Sequence, residues 1–173
     1  PPTIPDDEVL ADIFDAGRQA LLDAGYVQYE ISAFSKPGYQ CHHNLNYWRF
    51  GDYIGIGCGA HGKITDVLNS QVLRSSKVKH PKGYLDKDNA YSFERWAVDK
   101  EDIALEYFMN RFRLVEACPR NEFAQFTGLN EEAIATPMQR AIDKGLIEQT
   151  ATHWQVTQLG QRFWNELLNL FME

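Results

Sequence analysis

Residues 27–34 read Val27-Gln28-Tyr29-Glu30-Ile31-Ser32-Ala33-Phe34, an alternation of apolar and polar side chains that predicts one half-buried strand. What precedes it sets the fold class. Pro5 followed by Asp6, Asp7 and Glu8 makes an acidic first turn and Gly25 supplies a stop, which predicts a helix over 6–24. Val9, Leu10, Ile13, Phe14, Gly17, Ala20, Leu21 and Ala24 share one face of it. A helix followed at once by a strand is the repeat unit of an α/β sheet or barrel. Lys36-Pro37-Gly38 then turns the chain.

Further along, residues 41–62 break the pattern, with five glycines, four aromatics and three histidines. Within them Gly55, Gly57 and Gly59 alternate with Ile56 and Cys58, a strand-like register in which the backbone approaches a ligand or another strand closely. Lys63 to Lys79 reads as a β-hairpin around Asn69-Ser70, and His80-Pro81 starts a short helix through about Ala90. From about residue 99 the texture is helical, so a boundary falls near 97–100. Ile103 to Val115 gives a helix that Pro119 ends, Asn121 to Thr127 a second stopped by Gly128, and Glu131 to Lys144 a third stopped by Gly145. Leu146 to Val156 reads as two short strands around Ala151-Thr152, and Thr157 caps a last helix. Three helices, a hairpin and a closing helix resemble a winged helix.

Composition narrows the function classes. The 173 residues carry 17 basic and 24 acidic side chains, a net charge of −7, with 44 % hydrophobic residues, the balance of a globular protein. From residue 101 on, 6 basic side chains face 11 acidic ones, and Glu148 to His153 contains no Lys or Arg. Phosphate contacts dominate affinity for DNA, so the winged-helix shape points to a protein-contact module and not to nucleic acid. No stretch reaches the 18 or so apolar residues of a membrane span. Three widely spaced cysteines, Cys41, Cys58 and Cys118, form no secreted disulfide framework. With no signal sequence in view, a cytoplasmic location is the expectation. The start at Pro1 suggests a piece of a longer protein.

Three constellations carry chemistry. Cys41, His42, His43, Cys58 and His61 are zinc-ligand types, but structural zinc uses two tight ligand pairs, and adjacent side chains point apart. The glycine run is neither a dinucleotide fingerprint nor a P-loop. In His43-Asn44-Leu45-Asn46-Tyr47-Trp48, a histidine and a tyrosine four residues apart present imidazole and phenol on one side of a turn, and both are haem-iron ligand types. Trp48 and Tyr53 offer flat surface to a macrocycle, and Arg49, Lys63 and Arg74 offer charge to its propionates. The alternative is that His43 and Asn44 hydrogen-bond a loop while Tyr47 and Trp48 fill the core.

Tyr29-Glu30-Ile31-Ser32, Lys36-Pro37-Gly38, the His43–Trp48 motif and Gly51-Asp52-Tyr53-Ile54-Gly55-Ile56-Gly57-Cys58-Gly59-Ala60-His61 follow in one order. Here the chain resembles the C-terminal half of the oxygen-independent coproporphyrinogen III oxidase-like family of radical S-adenosylmethionine (SAM) proteins, in its haem-chaperone branch. The resemblance covers essentially the whole chain. It implies that residues 1–98 are the late β/α units of a partial radical-SAM barrel and 99–173 the winged-helix-like C-terminal domain. It maps a haem-binding motif onto His43, Asn44, Tyr47 and Trp48, with His43 or Tyr47 as candidate iron ligand, and makes Gly57, Ala60 and His61 neighbours of SAM. The family's [4Fe–4S] cluster sits on a C-x-x-x-C-x-x-C motif that is absent from this chain. SAM and the cluster are therefore expected in a full-length protein only, with no catalytic residue in this piece. An incomplete barrel exposes strand edges, which predicts self-association.

Three functions follow. The first is a haem-binding protein that delivers haem to an accepting protein. The second is SAM-dependent oxidative decarboxylation of coproporphyrinogen III by the cluster-bearing protein. The third is a winged-helix interaction module with no small-molecule role.

Overall fold

The computed structural model describes residues 4–66, 68–69, 71–88 and 90–172. Backbone contacts divide the chain into two compact units, Pro1–Cys41 and His42–Glu173. In the first unit, helix α1 (Asp7–Asp23) starts where the Asp6 carboxylate accepts from the Val9 amide at 3.0 Å. It is stopped by Gly25, whose φ of 77° is the left-handed value glycine adopts without strain. The alternating run behind it is two strands and not one. Strands β1 (Val27–Glu30) and β2 (Ala33–Ser35) pair antiparallel. The Glu30 carboxylate folds back to accept from the Ser32 amide at 3.2 Å and its hydroxyl at 2.9 Å, closing the turn that the alternation alone conceals.

The second unit opens with helix α2 (His42–Trp48). Strands β3 (His61–Asp66), β4 (Gln71–Lys77) and β5 (Ser92–Ala97) follow as one antiparallel sheet in sequence order, with His61 opposite Ser76 and Arg74 opposite Trp96. The hairpin expected over 63–79 is thus present, although Ser70 lies outside the described residues. Helix α3 (Pro81–Leu85) is capped by His80 and ends before the expected Ala90, in extended backbone at Asp86.

Next come helix α4 (Lys100–Arg111), strand β6 (Cys118–Pro119) and helix α5 (Arg120–Thr127). A 3-10 turn at Glu131–Ile134 leads into helix α6 (Ala135–Asp143), then strands β7 (Ile147–Gln149) and β8 (His153–Val156), and helices α7 (Gln158–Arg162) and α8 (Trp164–Asn169). The second sheet has the order β6-β8-β7. Three expectations change here. Pro119 opens α5 from within a strand and does not end the helix before it. The third helix begins at Ala135 because Pro137, with no N–H to give, fits only its first turn. The last helix breaks at Phe163, where φ is −107° and ψ 43°.

Aromatic side chains fill the core of this unit. Phe108 stacks on Phe112 at 4.4 Å and on Phe123 at 5.4 Å, and meets Trp154 edge-on at 5.7 Å. Phe50 and Val72, from α2's end and from β4, belong to the same cluster. Gly160 is held by contact: a Cβ there would lie 2.1 Å from the Leu146 carbonyl oxygen.

Candidate functional site

Helix α2 brings the four motif residues into seven residues of backbone. His43 and Tyr47 sit one helical turn apart, the spacing at which side chains meet. Their rings do meet, edge to face at 4.8 Å. Tyr47 in turn packs on Tyr53 at 4.3 Å. A row of three rings therefore runs from exposed His43 through half-buried Tyr47 to half-buried Tyr53; Asn44 and Trp48 are also half-buried. Tyr53 is fixed by backbone hydrogen bonds in both directions with Lys63, 2.9 Å each, and its hydroxyl accepts from Arg74 at 2.9 Å.

A tight turn ends the helix. Phe50 has φ 59°, left-handed backbone for a buried aromatic residue, and the Asn46 side chain donates to the Asp52 carbonyl at 3.0 Å. Gly51 permits this, since a Cβ would lie 2.2 Å from the Asn46 carbonyl oxygen Oδ1. The Lys63 ammonium, only 2 % exposed, donates to the Phe50 carbonyl at 2.8 Å, to Asp52 at 3.1 Å and to Thr65 at 3.0 Å, and lies 4.0 Å from the Phe50 ring centre. Burial lowers the Lys63 pKa against the opposing pull of Asp52. Burial by itself would raise the Asp52 carboxyl, but the Thr65 amide and hydroxyl and the Lys63 ammonium hold it below the ordinary carboxylate value.

The basic side chains expected to meet propionates are already engaged. Arg49 binds Glu116 through two nitrogens at 2.9 and 2.7 Å, Lys63 is interior, and Arg74 pairs with Glu106. Glu116 also receives Arg111 at 3.2 Å, and Arg111 reaches Glu122 at 3.2 Å. Trp48 is not a bare platform either, because the Arg113 guanidinium lies 4.5 Å over its ring and 5.6 Å over that of Trp164. Sequence reading missed Arg111, Arg113, Glu116 and Trp164. They stand more than sixty residues from α2, and no local spacing signals such a contact.

The glycine run is a loop and not the expected strand. Gly57 (φ 107°) and Gly59 (φ 70°) adopt left-handed values that break an extended chain. The Gly57 amide donates to the Tyr84 hydroxyl at 3.1 Å and the Ala60 amide to the Gly57 carbonyl at 3.3 Å, so Gly57 and Ala60 share one turn, while exposed His61 opens β3. Gly55 serves backbone approach within the chain: a Cβ there would lie 2.3 Å from the His61 carbonyl oxygen. Ile54 and Ile56 are left 77 % and 85 % exposed. Among the described residues no group of three or more His, Cys, Asp or Glu is placed to hold a metal ion, so Cys41, His42, His43, Cys58 and His61 are not gathered into a zinc site. Buried Cys118 contacts the Tyr107 hydroxyl at 3.5 Å, and burial pushes its thiol up to about 11. A cavity of about 280 Å³ lies at Arg120, Met138 and Trp154 and includes none of the motif residues.

Comparison with known proteins shows what the chain resembles. Residues 98–163 match the family model described as the HemN C-terminal domain. The chain is thus similar to HemN-related proteins. Among these the similarity runs to the proteins called heme chaperone HemW: 52 % identity to that of Escherichia coli (strain K12) over 99 % of this chain and 45 % of the relative. For the Haemophilus influenzae protein the identity is 53 %, over 99 % of this chain and 44 % of the relative. The chain thus spans a little under half the length of the curated relatives it matches. Among solved structures, coproporphyrinogen III oxidase (HemN) from Escherichia coli, described as a radical SAM enzyme, aligns with a TM-score of 0.67 at 15 % identity. That alignment covers 96 % of this chain and 42 % of the other, and shows a shared fold. No helix among the described residues is long and apolar enough to cross a membrane.

Proposed function

We propose that this chain is the haem-receiving part of a haem-delivery protein, with haem as cargo and a haem-accepting protein as partner. The observation that carries the reading is the exposed His43 ring packed edge-on against Tyr47 at 4.8 Å on a surface helix, in a chain about half identical to proteins named heme chaperones. The residues fit that cargo. An exposed imidazole offers one axial nitrogen to iron from solvent, and Tyr47 lies alongside it as the alternative ligand. Arg49, Lys63 and Arg74 are occupied by acidic partners, which leaves propionates toward water and favours release over retention. Delivery needs that balance.

Finer parts of the reading rest on the family. Residues 1–98 are taken as late β/α units of a radical-SAM barrel and 99–173 as a winged-helix-like domain that docks on protein. Gly57, Ala60 and His61 are taken as neighbours of SAM, which with a [4Fe–4S] cluster would belong to a longer, cytoplasmic protein and supply radical chemistry there. The decarboxylase reading has no observation of its own here, because the likeness to the oxidase shows fold alone.

Titration of the chain with haemin, followed by its visible spectrum, tests the proposal. A saturable one-to-one shift that His43→Ala or Tyr47→Phe removes is expected. Unaltered binding in both variants overturns the assignment.

A further inference from the structure

Helix α2 is seven residues long, too short to hold its own direction in water, so what grips its ends decides where His43 points. In its first turn His42 and His43 are exposed, while Leu45 is buried. Its last turn is gripped twice by one stretch of chain. Trp48 stacks on Arg113, which also lies over Trp164, and neighbouring Arg49 forms a two-point ion pair with Glu116, itself bound to Arg111. A bidentate arginine–carboxylate pair fixes orientation as well as distance. The indole N–H groups of Trp48 and Trp164 are buried with no hydrogen-bond partner among the described residues. These rings are therefore set by their faces on the guanidinium and not by their polar edges.

We infer that Arg113, Trp164 and Glu116 are positioning residues for the His43–Tyr47 pair, with the C-terminal helical region fixing the angle at which the imidazole meets a haem. This deepens the haem reading and rests on it. None of the three touches the cargo. They act through Trp48 and Arg49 at the far end of the same short helix, so losing them tilts His43 without removing a ligand.

The test is haemin titration of the full chain, read as affinity and as the visible and electron paramagnetic resonance signature of the axial ligand. Arg113→Ala and Glu116→Gln are each expected to weaken binding about tenfold and to alter the ligand signature, as contacting residues in one network do. Arg113→Lys, which keeps a cation over both indoles, restores the parent signature. Glu116 is partly exposed, so its variant stays folded if Arg113→Ala does not, and circular dichroism checks both. Parent-like affinity and signature in Glu116→Gln and folded Arg113→Ala, alongside lost binding in His43→Ala, overturns the positioning role and leaves the haem reading intact. A lost signature that Arg113→Lys fails to restore overturns it as well. Unchanged binding in His43→Ala and Tyr47→Phe overturns both together.

Discussion

Helices α1 and α4 present apolar side chains at the same helical spacing and meet opposite fates. Along α4, Ile103, Tyr107 and Phe108 are buried beneath α5, β8 and α8. Along α1 no residue is buried, and Ile13 and Phe14 are 58 % and 57 % exposed. Periodicity says which face seeks cover. It does not say whether the cover is in the chain. For α4 the cover follows within seventy residues of sequence; for α1 the first unit offers only a two-stranded hairpin, which cannot bury a helix face of that size.

The contrast can be attacked at its strongest point. Phe108→Ala removes the ring on which Phe112 and Phe123 stack, and a loss of ~3–5 kcal/mol in urea unfolding is expected; a loss below about 1 kcal/mol would mean that the aromatic cluster is not what holds the second unit. A smaller effect is electrostatic. The hydrogen bond from Arg49, then the charge of Arg111, hold the Glu116 carboxyl below its ordinary 4.5 against the opposing effect of burial. The unfolded chain therefore binds that proton more tightly than the folded one. The contribution of Glu116 is complete above about pH 4.5 and drains away as pH falls through the lower folded value. Thermal midpoints between pH 5 and 3 should fall more steeply for the parent than for Glu116→Gln, and parallel curves would refute the linkage. The smallest change belongs to α1. Ile13→Ser combined with Phe14→Ser should shift stability by no more than ~0.5 kcal/mol, the range of surface substitutions, while lowering self-association in sedimentation. A core-sized loss would show that this face is covered after all.

What the sequence disclosed was local. Asp6, Gly25, Gly128, Gly145 and Thr157 mark helix ends because a cap or a left-handed residue acts within one turn of itself, and all five do so here. Pairing of 63–79 was legible for the same reason. Errors arose where a side chain or a distant segment overrules the pattern. Glu30 turns an eight-residue alternation into a hairpin, and the Tyr84 hydroxyl, 27 residues away, helps hold Gly57 out of a strand. At the candidate site, the meeting of His43 with Tyr47 was readable from a spacing of four. The fate of Trp48 and of Arg49 was not, since Arg113 and Glu116 enter from a helix end that no motif marks.

The Lys63 ammonium on the Phe50 carbonyl has a mechanical consequence. It buckles the chain at residues 50 and 63, and a second fastening at Tyr53 shortens the span between them. Between the buckles lie Gly55, Gly57 and Gly59, the residues with the widest choice of backbone angles. The Gly57 amide on the Tyr84 hydroxyl and the Gly59 amide on the Val78 carbonyl rivet that strap from the far side, so Ile54 and Ile56 are held outward by a loop fastened along its whole length.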